Sequence, residues 1–255
     1  MLNMIALAVC AALAAQSGAP AKPGAPAKPA APAGGAPSSA TAPPAAPAAV
    51  KPAPTPPVAP PEPKLGPEVV LFDGRSLKGW VPFLDGGDPP KTWSAADCVL
   101  SCTGSPAGYI ATEKPWESYE LRLEWRFDPA KGPGNSGVLL RVTGPDKVWP
   151  RSVEAQLHSG NAGDFWNIGE FPMKVDPGRT EGRRTVKAAP SSEKPIGEWN
   201  EYRILVDGPR IALWVNGVLQ NSATDVEVIP GRIALQSEGA FIQFRNIRLR
   251  PVVKP

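Results

Sequence analysis

Histidine is almost absent from this chain, since His158 is the single one among 255 residues. No basic run stands out and the net charge is +3, which gives no indication of nucleic-acid binding. A Gly-rich phosphate loop, a nucleophile elbow and a zinc-binding helix motif are also lacking.

Cysteine is nearly as scarce, with three in the whole chain. Cys98 and Cys102 fall on one side of a regular strand, about 13 Å apart at four residues of rise. That separation exceeds the reach of a disulfide bond, and no histidine nearby completes a zinc site. The spacing therefore predicts buried free thiols, with a bond only if a turn brings the two together.

Long hydrophobic runs are missing too, because the apolar start of the chain, residues 1–15, is too short for an ordinary membrane-spanning helix. It has the length of a signal peptide, and cleavage after Ala14 fits the small-residue rule. An uncleaved anchor is the alternative. Residues 16–66 are rich in Pro and Ala and have no aromatic residue, which predicts a disordered, partly polyproline-II linker. We expect an exported protein, periplasmic, cell-surface or secreted, with a tether to the membrane or cell envelope.

Residues 67–255 contain all eight tryptophans and are predicted to form one all-β domain. Strands alternate with turn signals, and no convincing amphipathic helix interrupts them, which favours an antiparallel sandwich or jelly roll. The clearest strand is Tyr119–Phe127, with apolar residues opposite charged ones. The other predicted strands are Val69–Phe72, Gly137–Val142, Val153–His158, Glu201–Val206, Arg210–Val215, Gly231–Gln236 and Phe241–Arg250.

The strand Val153–His158 carries the most informative pattern. Glu154, Gln156 and His158 alternate with apolar residues, so all three are expected on one polar face. About 40 residues without clear periodicity then follow, from Ser159 to Glu198, and loops of that length are usually functional or disordered. We expect this segment to wall a cleft. Trp149 and Trp166 flank the strand and are candidates for aromatic contacts with a ligand.

Several motifs resemble the 3-keto-disaccharide hydrolase domain family, and the resemblance covers about residues 69–251. The matching segments are 71–80, 108–112, 124–126, 134–141, 154–156, 197–203, 214–217, 231–239 and 244–248. The resemblance implies a concanavalin-like jelly roll, a carbohydrate substrate and cleavage of a 3-keto-glycosidic bond.

A ketone at C3 makes the C2 proton acidic, so a base can remove it and the aglycone can leave from C1. Such a reaction needs a base, a group that stabilises the enolate oxygen and an acid for the leaving oxygen. The candidate catalytic residues are Glu154, Glu124, His158 and Glu238. The candidate substrate-binding residues are Gln156, Arg126, Arg141, Trp149, Trp166 and Gln236.

Glu124 would join Glu154 only if Tyr119–Phe127 lies beside Val153–His158. No cofactor is assigned with certainty, although Glu154, His158 and Asp164 together are compatible with a divalent cation. A non-catalytic carbohydrate-binding module of the same architecture remains the main alternative to an enzyme, and a structural domain of a surface assembly is a third.

Overall fold

The computed structural model describes residues 51–253 and shows two antiparallel sheets packed face to face. The predicted signal or anchor segment and the linker up to residue 50 lie outside the described residues. The strands are β1 (Val69–Val70), β2 (Trp80–Leu84), β3 (Trp93–Ala96), β4 (Val99–Cys102), β5 (Gly108–Thr112), β6 (Tyr119–Phe127), β7 (Gly137–Thr143), β8 (Arg151–Gln156), β9 (Phe165–Ile168), β10 (Thr180–Glu181), β11 (Arg184–Thr185), β12 (Asn200–Asp207), β13 (Arg210–Val215), β14 (Val218–Ala223), β15 (Arg232–Ser237) and β16 (Ile242–Pro251).

Helix is almost lacking in this part of the chain. One turn of α-helix, α1 (Pro89–Thr92), and a short 3₁₀ helix (Pro177–Arg179) are the helical elements described. Between residues 51 and 253 there is no helix with the length and apolar character needed to cross a membrane. The predicted all-β jelly-roll sandwich is confirmed.

The first sheet has the strand order β14-β13-β12-β6-β16-β4-β3, with β1 paired to β16, and the second has the order β10-β11-β9-β8-β7-β15-β5-β2. The alternating strand β6 occupies the middle of the first sheet, and one of its sides is continuously apolar. Leu121, Leu123 and Trp125 enter the shared core, where Trp125 contacts the Tyr202 ring of β12 at 5.4 Å between centroids. Val153 and Ala155 of β8 enter the same core from the second sheet. Glu154 and Gln156 therefore lie on the outer face of the second sheet.

The segment from Ser159 to Glu198, which the sequence predicts as one long loop, contains regular secondary structure. It contains the 3₁₀ helix and three strands, β9, β10 and β11. The three strands extend the second sheet beyond β8. These strands are only two to four residues long, and too few residues alternate for a period to be recognised.

Cys98 lies in the tight turn between β3 and β4 rather than in a regular strand, and its φ is +62°. Cys102 is a buried free thiol at the end of β4, as predicted, so no bond joins the two.

Residues 51–66, which the sequence places in the linker, form an extended segment that contacts the sandwich. The Thr55 backbone N–H donates to the Asp176 carboxylate at 2.7 Å, and the Val58 N–H donates to the Ser222 hydroxyl at 3.1 Å. At the end of the segment, Gly66 donates to the Pro251 carbonyl at 2.8 Å. The proline-rich chain is held because its few free N–H groups find acceptors on the domain.

Candidate functional site

Glu154 lies in the middle of β8 on the outer face of the second sheet. Its Cα partners are Leu139 of β7 and Trp166 of β9. The side chain is only 5% exposed. A carboxylate in such a position is costly to keep charged unless it is paired. Its Oε1 atom has no hydrogen-bond partner.

Gln236 of β15 approaches Glu154 across β7, and Gly137 makes this approach feasible. A Cβ atom on Gly137 would lie 2.2 Å from Gln236 Oε1 and 2.5 Å from Glu154 Oε1. Gln236 is also buried, and its Oε1 has no partner either. Two unsatisfied buried oxygens thus lie beside one glycine, and we call this part of the outer face, formed by Gly137, Glu154 and Gln236, the recess. Buried polar atoms without partners are rare in folded proteins.

Burial, and to a smaller extent the negative charge of Glu238, raise the pKa of Glu154 to about 8. The Gln236 amide and the Arg183 guanidinium favour the charged form and oppose this rise. A carboxyl group whose pKa lies near neutrality can accept or give up a proton under ordinary conditions, which is the property expected of a general base or acid.

Glu238 is the second carboxylate of the recess. Burial raises its pKa, while the Trp149 indole and the charge of His158 lower it. Trp149 Nε1 donates to Glu238 Oε1 at 3.4 Å, and the indole ring is 52% exposed. The structure therefore brings Glu154, Gln236, Glu238, Trp149 and His158 to one side of the second sheet.

Gln156 and His158 differ from their predicted arrangement because β8 ends at Gln156. The Gln156 Oε1 atom turns back and accepts from the N–H groups of Leu157 and His158, both at 2.8 Å. Gln156 thus stabilises the turn after the strand. His158 is exposed and lies in this turn, not on the strand.

Trp166 lies directly beside Glu154 in the sheet, as the Cα partner on β9. The guanidinium of Arg183, in the turn between β10 and β11, lies 5.8 Å from the centre of the Trp166 ring. Sequence reasoning missed Arg183 because its turn becomes adjacent to Glu154 only through the pairing of β11 with β9 and of β9 with β8.

The loop between β7 and β8 is tied to the outer face of the second sheet by a contact that the sequence also did not reveal. Tyr109 of β5 donates its hydroxyl hydrogen to Asp146 at 2.6 Å, and Arg232 of β15 pairs with the same carboxylate. Trp149 is in this loop, so the contact fixes the segment that carries an indole to Glu238.

Glu124 does not join this group, because β6 belongs to the first sheet, between β12 and β16. The predicted neighbourhood of Glu124 and Glu154 is therefore wrong. Glu124 pairs with Arg245 at 2.6 Å and accepts from Asn246 at 2.8 Å. Arg126 is on the same strand and donates to Gln243 at 2.8 Å, with its guanidinium over the Trp199 ring.

Arg141 likewise does not join this group, and the residue is fully buried. It lies in a bulge of β7 with a φ of +54°, and its guanidinium donates to the backbone carbonyls of Glu117, Gly208 and Glu227. The predicted substrate contact is wrong because the side chain is fully buried and its two terminal nitrogens donate to loop carbonyls, while Nε has no partner. Arg141 fastens three loops together.

The three groups proposed for a cation are not assembled. Asp164 is fully buried and is paired with Arg184 at 2.6 Å. Among residues 51–253, no group of three or more His, Cys, Asp and Glu side chains is arranged to hold a metal ion.

The architecture is shared with carbohydrate-active proteins. A Parabacteroides distasonis protein named as a candidate glycosyl hydrolase is 23% identical with a TM-score of 0.54, and the match covers 73% of this chain and 94% of that one. The β-glucanase of Bacillus licheniformis is 13% identical with a TM-score of 0.50, over 72% of this chain and 97% of that one. These likenesses define the class of fold, a glucanase-type jelly roll.

The sequence matches are more specific. The model of the 3-keto-alpha-glucoside-1,2-lyase-like domain matches residues 67–250. A Bacteroides thetaiotaomicron protein named 3-keto-disaccharide hydrolase is 25% identical over 229 residues, which are 71% of this chain and 77% of that relative. The chain belongs to the 3-keto-alpha-glucoside-1,2-lyase-like domain family, as the sequence motifs predicted.

Proposed function

We propose that this protein is a hydrolase that cleaves 3-keto-glycosides, with Glu154 as the base. Glu154 takes the proton from C2, next to the ketone, and the electron pair of the C2–H bond moves into an enolate. The ketone then re-forms, its electron pair makes a C1–C2 double bond, and the bond between C1 and the leaving oxygen breaks. Addition of water across that double bond then completes a net hydrolysis.

The observation that carries this proposal is the burial of Glu154 beside a recess with two unpartnered oxygens. A carboxylate in bulk water is too weak a base for a carbon acid, and removal from water strengthens it. The pKa of about 8 is the consequence of that removal. A carboxylate on the open surface of a lectin has no need of such burial.

The other groups of the recess have roles that follow from their chemistry. His158 and Glu238 are the groups that can protonate the leaving oxygen, and the Gln236 amide can hold a sugar hydroxyl or the ketone oxygen. Trp149, with its half-exposed ring, and Trp166 offer apolar faces to the sugars. Glu124, Arg126 and Arg141 have no part in this proposal because their partners lie elsewhere.

Export is part of the same proposal. The apolar segment 1–15 would direct the chain out of the cytoplasm, and the Pro/Ala-rich segment would tether the domain to the membrane or cell envelope. Detection of the full chain in the periplasmic, envelope or culture fraction of a bacterial host tests this part, and recovery solely in the cytoplasm would contradict it.

The decisive experiment compares Glu154→Gln with Glu124→Gln in the full chain. Turnover of a 3-keto-β-glucoside or of 3-keto-sucrose is followed by product analysis, and binding by calorimetry. Glu154→Gln should lose at least about 100-fold in turnover, the contribution of a general base, and should still bind. Glu124→Gln should keep the activity of the unaltered protein. Full activity of Glu154→Gln would remove this residue from the mechanism.

The same measurements also test the alternative of a binding module and the need for a metal. Binding of the 3-keto sugar by the unaltered protein with no turnover of any 3-keto-glycoside would contradict the enzyme and leave a carbohydrate-binding module. Repetition with a chelator tests whether a divalent cation takes part.

A further inference from the structure

The ring of His158 has contacts that bear on which of its nitrogens carries the proton. Nδ1 lies 3.0 Å from Nδ2 of Asn161 and 3.0 Å from the backbone carbonyl oxygen of Ser159. A neutral imidazole has one N–H donor and one acceptor nitrogen. Nδ1 therefore either accepts a hydrogen bond from Asn161 or donates one to Ser159, because the same nitrogen cannot do both.

The orientation of the Asn161 amide decides between these contacts. Nη2 of Arg184 donates to the Asn161 Oδ1 atom at 3.2 Å. A guanidinium has donors alone, so the atom of Asn161 that faces Arg184 must be the oxygen. The amide nitrogen then faces His158, and a hydrogen on Nδ1 would meet the hydrogens of Nδ2. With the amide held in this way, Nδ1 is the acceptor.

Arg184 cannot easily retreat from Asn161, because a buried carboxylate holds it. Arg184 Nε donates to Asp164 Oδ2 at 2.7 Å, and Asp164 has no exposed surface. The other carboxylate oxygen accepts from the Lys187 backbone N–H at 2.8 Å. Breaking this pair would leave a buried charge without a partner, which is among the most costly changes in a folded protein.

The loop that joins His158 to Asp164 is also fixed by its backbone. Gln156 N–H donates to the Asp164 carbonyl at 3.0 Å, and Gly163 N–H donates to the Gln156 carbonyl at 3.1 Å. His158 and Asn161 are joined directly as well, since the Asn161 N–H donates to the His158 carbonyl at 2.7 Å. The two side chains are therefore held in register on one short turn.

The contact with the Ser159 carbonyl favours the opposite tautomer, so the two alternatives must be compared. A proton on Nδ1 would gain one hydrogen bond to a neutral carbonyl. It would require the Asn161 amide to turn its nitrogen toward the Arg184 cation, which loses a hydrogen bond to a charged donor and replaces it by repulsion. Hydrogen bonds to charged groups are about twice as strong as neutral ones. The tautomer in which Nδ1 accepts from Asn161 is therefore the more stable one.

We propose that the chain Asp164–Arg184–Asn161 fixes His158 as the tautomer with its proton on Nε2. The N–H is then on the nitrogen away from Asn161, where the neutral ring can donate a hydrogen bond to an oxygen of the substrate. This catalytic consequence rests on the proposed function, whereas the tautomer itself does not. Asp164, Arg184 and Asn161 are positioning residues, since they act through His158.

The test uses the fact that His158 is the single histidine of the chain. The full-length protein is labelled with ¹⁵N-histidine, and the two ring nitrogens are assigned by long-range ¹H–¹⁵N correlation above the pH at which the ring becomes neutral. The unaltered protein should show one tautomer, with an N–H at Nε2 and an unprotonated Nδ1. Asn161→Asp offers Nδ1 an acceptor in place of a donor, and its spectrum should show the proton on Nδ1 instead.

Two further variants complete the test. Asn161→Ala removes the donor to Nδ1 and leaves the Ser159 carbonyl as its partner, so the spectrum should shift toward a proton on Nδ1. Lys187→Ala is the matched control, because it removes a hydrogen bond to the Gly160 carbonyl of the same loop and leaves the contacts among Asp164, Arg184 and Asn161 intact. Its spectrum should equal that of the unaltered protein.

A proton on Nδ1 in the unaltered protein, averaged shifts in that protein, or an unchanged tautomer in Asn161→Asp would each overturn the proposal. These spectra need no substrate, so the outcome is independent of whether the protein turns over a 3-keto-glycoside.

Discussion

Glu154 and Gln236 meet over Gly137, and each places its Oε1 atom within 2.5 Å of the position that a Cβ atom would occupy on that glycine. The two side chains come from strands β8 and β15, which are separated in the sheet by β7. A glycine in the middle strand thus makes the space in which the two oxygens lie.

Gly137→Ala should therefore damage the recess. The new methyl group collides with both buried side chains, and overpacking of this kind costs about 1–3 kcal/mol. We expect reduced turnover together with a lower free energy of unfolding, measured by urea denaturation. Gly132→Ala is the control, because no atom lies within 4 Å of its Cβ position and only its φ of +78° opposes a side chain. Equal turnover in the two variants would contradict the proposed role of the space.

The rate should depend on pH through Glu154. Because the base must be ionised, kcat/KM should rise about tenfold per pH unit below the pKa of about 8 and level off above it. Glu238→Gln removes a neighbouring negative charge that raises this pKa, so its rising limb should move to lower pH. A rate that falls as the pH rises through 8 would instead assign Glu154 as the acid.

The free energy of unfolding should depend on the same pKa, but it should fall as the pH rises, whereas kcat/KM rises. Glu154 stays protonated in the folded protein up to a pH of about 8 but ionises near 4.5 when unfolded, so its contribution to stability is lost as the pH rises between these values. Glu154→Gln cannot ionise. Its free energy of unfolding should exceed that of the unaltered protein by about 5 kcal/mol at pH 9, and the two should nearly agree at pH 4.

Urea denaturation at both pH values gives this difference, and Glu113→Gln serves as the control for an exposed carboxylate. A difference that is the same at pH 4 and pH 9 would mean that the pKa of Glu154 is not raised by folding.

Removal of the hydroxyl should affect the free energy of unfolding differently at Tyr109 and at Tyr119. Tyr109→Phe loses the hydrogen bond to Asp146 and should lower the free energy of unfolding by about 1 kcal/mol. The Tyr119 hydroxyl is buried without a partner, so Tyr119→Phe should be neutral or stabilising. Thermal and urea denaturation of the two variants measure the contrast. Loss of stability in Tyr119→Phe equal to that in Tyr109→Phe would show that the hydrogen bond is not the cause.

Arg141→Lys should test whether this residue is structural. An ammonium group cannot reach the three carbonyls that the planar guanidinium contacts, so the free energy of unfolding should fall by roughly 3 kcal/mol. The KM of the protein that remains folded should not change. A raised KM with unaltered stability would restore the substrate contact that the sequence predicted.

Alternation of apolar and polar residues, or a turn signal at the end of a strand, allowed strands to be predicted from the sequence. Strand β6 was predicted to the residue, and β13 was as well, because Asn216 and Gly217 mark its end with positive φ angles. Strand β5 has no exposed residue, so it shows no alternation, and it entered the sequence analysis only as a matching motif. The buried outer face at β5 depends on the loop that folds over it.

The residues of the candidate site that could be predicted are those marked by a local sequence pattern or a family motif. Glu154 was identified because its strand alternates, and Glu238 and Gln236 through the family motif at 231–239. Glu124 was wrongly joined to them, since its strand alternates just as clearly and nothing local indicates which sheet a strand will enter. Asn161 and Arg183 gave no signal because their importance comes from pairing between distant strands.

The antiparallel contact between Leu65 and Val252, with Lys64 and Gly66 bonded to their neighbours across it, places the entrance and the exit of the domain side by side. A fold whose two ends meet in this way can be joined head to tail by a short link and reopened at another surface turn. It can equally be carried within a loop of a larger protein without disturbing its host. Circularly permuted forms should fold, and relatives with the same adjacency of ends are suited to insertion in multidomain chains.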